Sequence, residues 1–252
     1  MATTPVTGRD VSEFLDWNNS CGEDCRDASS GRADGPDAPT KGFRVTDAHD
    51  QAAALDATSQ ALVTLVIRGM VRGTPDHAVT ELVDRGLAMS KGPITMPTPN
   101  GTRAAGELLR IEPRSEHEQA INTLFDAFLP INRRLRDVCS AWQTRPDGTP
   151  NGHDDLSYDD SVRERLDEVH SAIGPVLRRL GALDPSLATY RPRLQEALDK
   201  FDGGESPWLA SPLMDSYHTV WMHLHQHLIL MLGLTRAEDE AREESLVSGR
   251  AG

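Results

Sequence analysis

The chain has 252 residues, of which 26 are lysine or arginine and 39 are aspartate or glutamate, so its formal net charge is -13. An acidic balance of this size argues against a nucleic-acid footprint spread over the surface. Three cysteines do not make a disulfide framework, and the sequence does not start with a positive segment and an apolar run. We therefore expect a cytoplasmic protein that neither spans nor binds a membrane.

The first 48 residues are rich in Asp, Gly, Ser, Thr and Pro. A segment of this composition cannot bury enough apolar surface to order itself, so we predict a disordered acidic arm over residues 1–48. Within it, Cys21 and Cys25 lack the CxxC spacing of zinc knuckles and thioredoxin-like sites. Two solvated thiols and a metal or redox pair both remain open for these cysteines.

Residues 49–112 show helical spacing over 52–71 and 76–85, then two short strands around a Gly-Pro turn, then a helix that opens at Thr98 and runs to Leu109. A helix ending in Gly-Leu, a β-wing and a Thr-Pro-x-Gly-x-Arg turn resemble the end of a winged-helix domain. The sequence departs from that pattern because residues 71–75 leave no room for the usual middle helix. We therefore expect a degenerate winged-helix-like domain here.

The helix at 76–85 is the candidate recognition helix of such a domain, and it carries Asp76, Glu81 and Asp84. Phosphate contacts need Lys or Arg, and base edges are usually read by Arg, Asn or Gln. A nucleic-acid partner is therefore not favoured. A winged helix used for packing or protein contact stands beside a winged-helix transcription regulator as the alternative.

Residues 113–236 show four amphipathic segments joined mostly by short connections, which predicts an antiparallel four-helix bundle. Pro130 is expected to kink or split the first of its helices. The fold class is thus mainly α, with the degenerate winged-helix-like part followed by the bundle, and an acidic tail over 237–252.

Scattered motifs of the bundle resemble a helical region that accompanies a winged helix in bacterial proteins related to pyruvate, phosphate dikinase. These motifs are Phe128-Leu-Pro-Ile-Asn132, Ala141-Trp-Gln143, Asn151-Gly-His153, Tyr158-Asp159 and Asp215-Ser-Tyr-His-Thr-Val-Trp221 with His225 and Gly233-Leu-Thr-Arg236. The resemblance implies an accessory role beside a dikinase-like phosphotransferase. The sequence has no Gly-rich ATP-binding segment and no phosphohistidine loop, so it implies no phosphoryl transfer by this chain.

Four histidines lie within ten residues of the apolar segment 217–232, and a helical register sorts them into two pairs. His218 and His225 fall on the core side, whereas His223 and His227 fall on the side that we expect to be nearer solvent. The second pair has the i, i+4 spacing from which a helix can offer two imidazoles to one divalent metal ion, the only cofactor that the sequence suggests.

The candidate site residues follow from this register. His218 and His225, with His153 from a polar loop, are the candidate catalytic residues, as general base or metal ligand. Asp154, Asp155 or Asp215 is expected to orient an imidazole through its second nitrogen. The candidate ligand-binding residues are the bundle aromatics and polar groups around them: Trp142, Tyr217, Trp221, His170 and Asp215. The structural alternative is that the inward histidines are hydrogen-bonded core residues.

Three functions remain open. The first is a helical-bundle protein that binds a small molecule or partner protein through this His/Trp-lined site. The second is an enzyme with its active site in the bundle, and the third is the transcription regulator. A homodimer is compatible with each of them.

Overall fold

The computed structural model describes residues 55–248, and this part of the chain is mainly helical. The arm predicted over residues 1–48, with Cys21 and Cys25, lies outside the described residues. No helix among residues 55–248 combines the length and apolar character needed to cross a membrane.

The first elements alternate short helices and strands. They are α1 (Ala57–Arg68), β1 (Val71–Arg72), α2 (His77–Asp84), β2 (Ala88–Lys91), β3 (Ile94–Pro97) and α3 (Pro99–Leu109). Side chains of Asp56, Asp76 and Thr98 cap the three helices by accepting a backbone N–H of the first turn. The predicted helices therefore form, although α1 is shorter than its sequence pattern suggested.

The three strands form one antiparallel sheet in the order β1-β3-β2. Strand β1 was not predicted, because two residues are too few to show an alternating pattern. The start of β2 packs closely on α3. A Cβ atom on Gly101 would lie 1.9 Å from the Leu87 carbonyl oxygen, so this contact admits only glycine.

The remaining elements are longer. They are α4 (Glu116–Gln143), α5 (Leu156–Leu183), a 3-10 turn (Leu187–Thr189), α6 (Tyr190–Asp202), α7 (Pro207–Ala210), α8 (Tyr217–Leu232) and α9 (Arg236–Ser248). Pro130 does not split α4, which continues through it, and α5 likewise contains Pro175.

Buried apolar side chains form two clusters. The larger cluster joins α4, α5, α6 and α8, while the smaller one joins α1, α2 and α3. Helix α8 contributes to both, because Leu230 packs in the smaller cluster and residues such as Trp221 and Leu228 pack in the larger one. A helix that is covered on several sides has little room for a solvent face.

The acidic segment predicted from residue 237 is helical over most of its length. Residues 236–248 form α9, and the Asp239 and Glu243 side chains are buried against the rest of the protein. The sequence of α9 has almost no apolar periodicity, so its pattern did not indicate this helix.

Candidate functional site

A tight loop brings the polar residues of the candidate site back over the end of α4. Thr144 and Pro150 form an isolated antiparallel bridge, and the Asn151 N–H donates to the Gln143 carbonyl at 2.9 Å. The chain then enters α5, whose first turn is capped by Asp155. Asn151 and His153 are thereby placed between the C-terminus of α4 and the N-terminus of α5.

The His153 imidazole is held by two neighbours in this loop. Its Nδ1 lies 3.0 Å from Asp159 Oδ2 and 3.2 Å from Oδ1. The two amide hydrogens of Asn151 are directed to the Trp142 carbonyl at 3.2 Å and to Asp159 Oδ1 at 2.8 Å. Asn151 Nδ2 also lies 3.2 Å from His153 Nδ1, but its two hydrogens are directed elsewhere. Because an ionised carboxylate can only accept, His153 Nδ1 donates the proton in its hydrogen bond with Asp159.

The His153 ring lies against the indole of Trp142, with ring centroids 4.4 Å apart. Trp142 is buried, and its indole meets Phe201 edge-on at 5.0 Å, so the platform is fixed from below. The backbone of His153 has φ 56, a left-handed conformation that costs a non-glycine residue energy. Three side chains thus hold one imidazole in a single orientation, and we call Trp142, Asn151, His153 and Asp159 the His153 site.

The chemistry available at the His153 site follows from this geometry. The Asp159 side chain is 11% exposed whereas that of His153 is 39% exposed, so the carboxylate lies inside and the imidazole edge reaches solvent. With Nδ1 protonated, the other nitrogen, Nε2, carries a lone pair in the neutral ring. It can accept a hydrogen bond from a ligand or take up a proton, while Asp159 stabilises the imidazolium that results.

The carboxylate that orients His153 differs from those expected. Asp154 pairs with Arg145 at 2.5 Å, and Asp155 caps α5 through the Tyr158 N–H. Asp215 lies at the start of α8, where it pairs with arginines. Asp159 was not predicted to orient His153, because it lies in the first turn of α5. Acidic residues are common there, since they interact favourably with the helix dipole.

The predicted exposure of His223 and His227 is wrong. These side chains are 6% and 4% exposed, and His225 is 7% exposed, so both faces of α8 are internal. The expected solvent side of α8 is covered by α6, whose Tyr190 and Arg193 contact these two histidines. His218, which the register placed on the core side, is less buried than either of them. A register argument cannot tell that a second helix covers the more polar face of α8.

His223 lies in a cluster of charged groups. Arg193 Nη2 donates to His223 Nδ1 at 3.2 Å and to Asp215 Oδ2 at 3.0 Å, and Arg68 of α1 reaches the same carboxylate oxygen at 3.4 Å. Burial lowers the pKa of His223, and the charges of Arg193 and Arg68 lower it further, to about 4. Burial alone would raise the pKa of Asp215, but the two arginines bring it below its usual value.

His227 is held one turn further along α8. Its Nδ1 lies 3.1 Å from the Tyr190 hydroxyl, while its Nε2 has no hydrogen-bond partner among residues 55–248 although it is buried. Burial lowers the pKa of His227 to about 4, so the ring is neutral at neutral pH. An unpaired buried nitrogen costs stability in the absence of an internal water molecule.

The structure gives no support to a metal ion on His223 and His227. Within residues 55–248, no group of three or more His, Cys, Asp or Glu side chains is placed to hold a metal. His223 Nδ1 already accepts a hydrogen bond from a guanidinium, whose positive charge would repel a cation. Their i, i+4 spacing instead places the two histidines against Arg193 and Tyr190 on α6.

His225 and Trp221 form part of a buried polar network. His225 Nε2 lies 3.1 Å from Asp239 Oδ1, and the Trp221 indole N–H donates to Asn132 Oδ1 at 2.9 Å. The Asn132 amide then donates to Glu243 Oε2 at 2.9 Å. Both carboxylates belong to α9, so this helix closes over two of the candidate residues.

The other candidates are placed separately. His170 Nε2 lies 3.1 Å from Gln195 Oε1, an acceptor, so Nε2 carries the ring proton. His170 Nδ1 of the neutral ring then accepts the hydroxyl proton of Tyr217 at 3.2 Å. His218 is half-buried, makes no side-chain hydrogen bond within the described residues, and has its pKa lowered by burial to about 4. No hydrogen bond or ring contact in this part of the chain joins His218, His225 and His153 into one site.

Comparisons with known proteins yield no relative. No protein-family model matches the chain, and neither a curated protein nor a solved structure does.

Proposed function

We propose that the protein binds a small molecule or partner protein through the His153 site, and that it serves as an accessory component of a dikinase-like phosphotransferase. One observation supports the binding site most: His153 is held in a left-handed conformation, contacts Trp142 and is anchored to Asp159, while its side chain stays 39% exposed. Backbone strain of this kind persists only where surrounding contacts enforce it, and it is concentrated at functional positions. The accessory role follows from the resemblance of the bundle motifs alone.

The chemistry of the His153 site indicates what a ligand must provide. In the neutral ring, Nε2 accepts a hydrogen bond, so a ligand hydroxyl, amine or amide N–H is its complement. Arg145 lies beside the site, where it contacts Asn151 Oδ1 at 3.3 Å and pairs with Asp154, whose side chain is largely exposed, and more distantly with Asp155. A ligand acid group that displaces Asp154 from Arg145 would gain a second contact.

The second candidate is an enzyme in which His153 is the general base and Asp159 its orienting carboxylate. The observation that favours it is the same pair, since a carboxylate on one imidazole nitrogen leaves the other in the form that abstracts a proton. The two functions differ in what Asp159 does. In a binding protein its loss weakens affinity, whereas in an enzyme it lowers turnover with bound substrate still present.

The finer architecture is proposed with the function. We infer a winged-helix-like module over residues 49–112 that lacks the middle helix, supported by the strand order β1-β3-β2 and by the helix that precedes the β2-β3 hairpin. We infer an antiparallel bundle of α4, α5, α6 and α8, supported by their shared apolar cluster. The acidic groups of α2 favour a packing or protein-contact role for the module over binding to DNA.

The proposal can be tested by calorimetric titration of the full chain with a purified bacterial dikinase-type phosphotransferase and with its small-molecule substrates. The variants are His153→Ala and, as a matched control, His77→Ala, which removes an exposed histidine of α2. Binding that weakens about tenfold or more in His153→Ala alone supports the proposal. Equal binding by the wild type and His153→Ala would contradict it, as would the absence of binding to every probe.

A further inference from the structure

The most buried of the described side chains of α9 are charged. Asp239 and Glu243, one turn apart, are each 6% exposed, whereas its Ala237 and Ala241 are exposed. Leu246 is partly buried against the main apolar cluster. Contact of α9 with the rest of the protein therefore depends mainly on its carboxylates, unlike the contacts among α4, α5, α6 and α8, where the buried faces are apolar.

Each buried carboxylate of α9 accepts a hydrogen bond from a side chain of α4 or α8. Asp239 Oδ1 lies 3.1 Å from His225 Nε2, and Glu243 accepts from the Asn132 amide at 2.9 Å and pairs with Arg136. Asn132 is itself fixed in orientation because its oxygen accepts the Trp221 indole proton. The donors lie on α4 and α8, spaced to receive carboxylates at positions i and i+4 of one helix.

Aromatic rings surround these donors. The His225 ring contacts Phe125 and Phe128 with centroids 5.8 and 5.2 Å apart, and Phe128 stacks on Trp221 at 5.2 Å. Arg242 of α9 covers the edge of this group, with its guanidinium 5.3 Å from the centre of the Phe125 ring. We call the residues that contact α9 the acidic-helix surface: Asn122, Phe125, Asp126, Asn132, Arg136 and His225.

Arg242 makes the contact specific in register. Its Nε donates to Asp126 Oδ1 at 2.6 Å, and its Nη1 donates to Asn122 Oδ1 at 2.8 Å. The acidic-helix surface therefore binds an acidic side chain at position i, a basic one at i+3 and a second acidic one at i+4, which in α9 are Asp239, Arg242 and Glu243. Polar contacts of this kind give specificity and weaken in salt, whereas apolar docking does not.

We propose that the acidic-helix surface is a recognition site for an acidic helix of a partner protein, which α9 occupies in the free chain and from which the partner displaces it. The connection between α8 and α9 is compatible with such an exchange. Gly233 ends α8 in a left-handed conformation, and only Leu234 and Thr235 separate it from α9, so α9 can leave while α8 keeps its last turn. This proposal uses other residues than the His153 site and does not depend on it.

The first test is hydrogen exchange of the full chain. Asp239→Ala/Glu243→Ala removes both buried carboxylates, and Glu240→Ala/Glu244→Ala is a control with the same change in charge at two exposed positions of α9. We expect amide exchange in α9 to rise about tenfold or more in the first variant only, because two charged buried hydrogen bonds are lost. Unchanged exchange in α9, or a rise that extends equally through α4 and α8, would contradict displacement of α9 as a unit.

The second test uses a labelled synthetic peptide of residues 235–248 as the probe helix. It should bind the full-chain Asp239→Ala/Glu243→Ala variant at least about tenfold more tightly than the wild type, whose own α9 competes. A peptide that carries the same two alanines should not bind the variant. Equal affinity of the two peptides would overturn the proposal, and wild-type dimers formed by exchanged α9 helices would contradict a separate partner.

Discussion

The carboxylate of Asp159 holds the imidazole of His153 at 3.0 Å, and it does so from the inside of the protein. The Asn151 amide donates to the same carboxylate, so the orientation of the carboxylate towards His153 Nδ1 is fixed. The pair joins a surface imidazole to the first turn of α5, so movement of the loop is coupled to the helix.

A first prediction concerns the tautomer of His153. In the wild-type protein we expect nitrogen-15 NMR of the neutral ring to show Nδ1 protonated and Nε2 bare, because Nδ1 faces a carboxylate. Asp159→Ala should abolish this preference, whereas Asp160→Ala, at the exposed neighbouring position, should keep it. A wild-type ring protonated on Nε2 would show that the carboxylate does not orient it.

A second prediction concerns the stability of the protein towards acid. The pKa of His218, of His223 and of His227 is lowered to about 4, so the unfolded chain binds protons more readily than the folded one below the ordinary histidine pKa of about 6.5. The contribution of these neutral histidines to the unfolding free energy is fully present above about pH 6.5 and is lost as the pH falls towards 4. At about pH 5 the loss should be on the order of 2 kcal/mol for each imidazole.

Urea unfolding between about pH 7 and pH 5 measures this effect. His227→Gln removes one of these three groups and should reduce the loss of unfolding free energy by about a third. His77→Gln, at an exposed position, should leave the pH dependence as it is. If the wild type and His227→Gln lost the same free energy, the burial of His227 in solution would be in doubt.

The burial of His223 and His227 was not predicted because it depends on long-range contacts, whereas sequence patterns report mainly local structure. The predicted helices formed because caps such as Ser115 and Ser216 and the apolar spacing act locally. The placement of α6 over His223 is a long-range contact between segments of ordinary amphipathic pattern. Likewise α9 has no apolar stripe, so nothing in its own sequence indicated that its carboxylates pair with Asn132 and His225.

The His153 site was foreseen only in part. His153 and Trp142 were both candidates, but the contact between them was not expected, because it depends on the Thr144 to Pro150 bridge that folds the loop back. The sequence Asn151-Gly-His153 followed by Asp159 was the only available indication of this site. Spacing alone cannot show that a carboxylate six residues away, in the first turn of a helix, faces the ring.

A third prediction concerns the end of α8. Arg110 donates to the Leu232 carbonyl, and its side chain occupies the space where a Cβ on Gly233 would lie. Gly233→Ala should therefore lose about 1 to 2 kcal/mol from its left-handed backbone and more from displacing Arg110. Gly106→Ala, inside α3 with only an ordinary contact to Leu230, should be neutral or stabilising. Thermal unfolding of both variants decides, and equal melting temperatures would argue against this cap.

A fourth prediction concerns DNA. Helix α2 presents acidic groups, and the Glu81 carboxylate is engaged with Thr58 at 2.7 Å. We expect no binding to duplex DNA beyond a weak, salt-sensitive background in gel-shift or anisotropy measurements. A sequence-specific complex that survives about 200 mM salt would instead favour the transcription regulator.

The central claim is that one surface imidazole, His153, is the ligand-facing histidine, while His223, His225 and His227 of α8 are internal. Acylation of the native full chain by diethyl pyrocarbonate, mapped by mass spectrometry, tests it most directly. We predict that His153 and the control His77 react, that His223, His225 and His227 do not, and that a bound phosphotransferase or substrate protects His153 alone. An unreactive His153, or a His153 that reacts equally with and without every binding partner, would contradict the account.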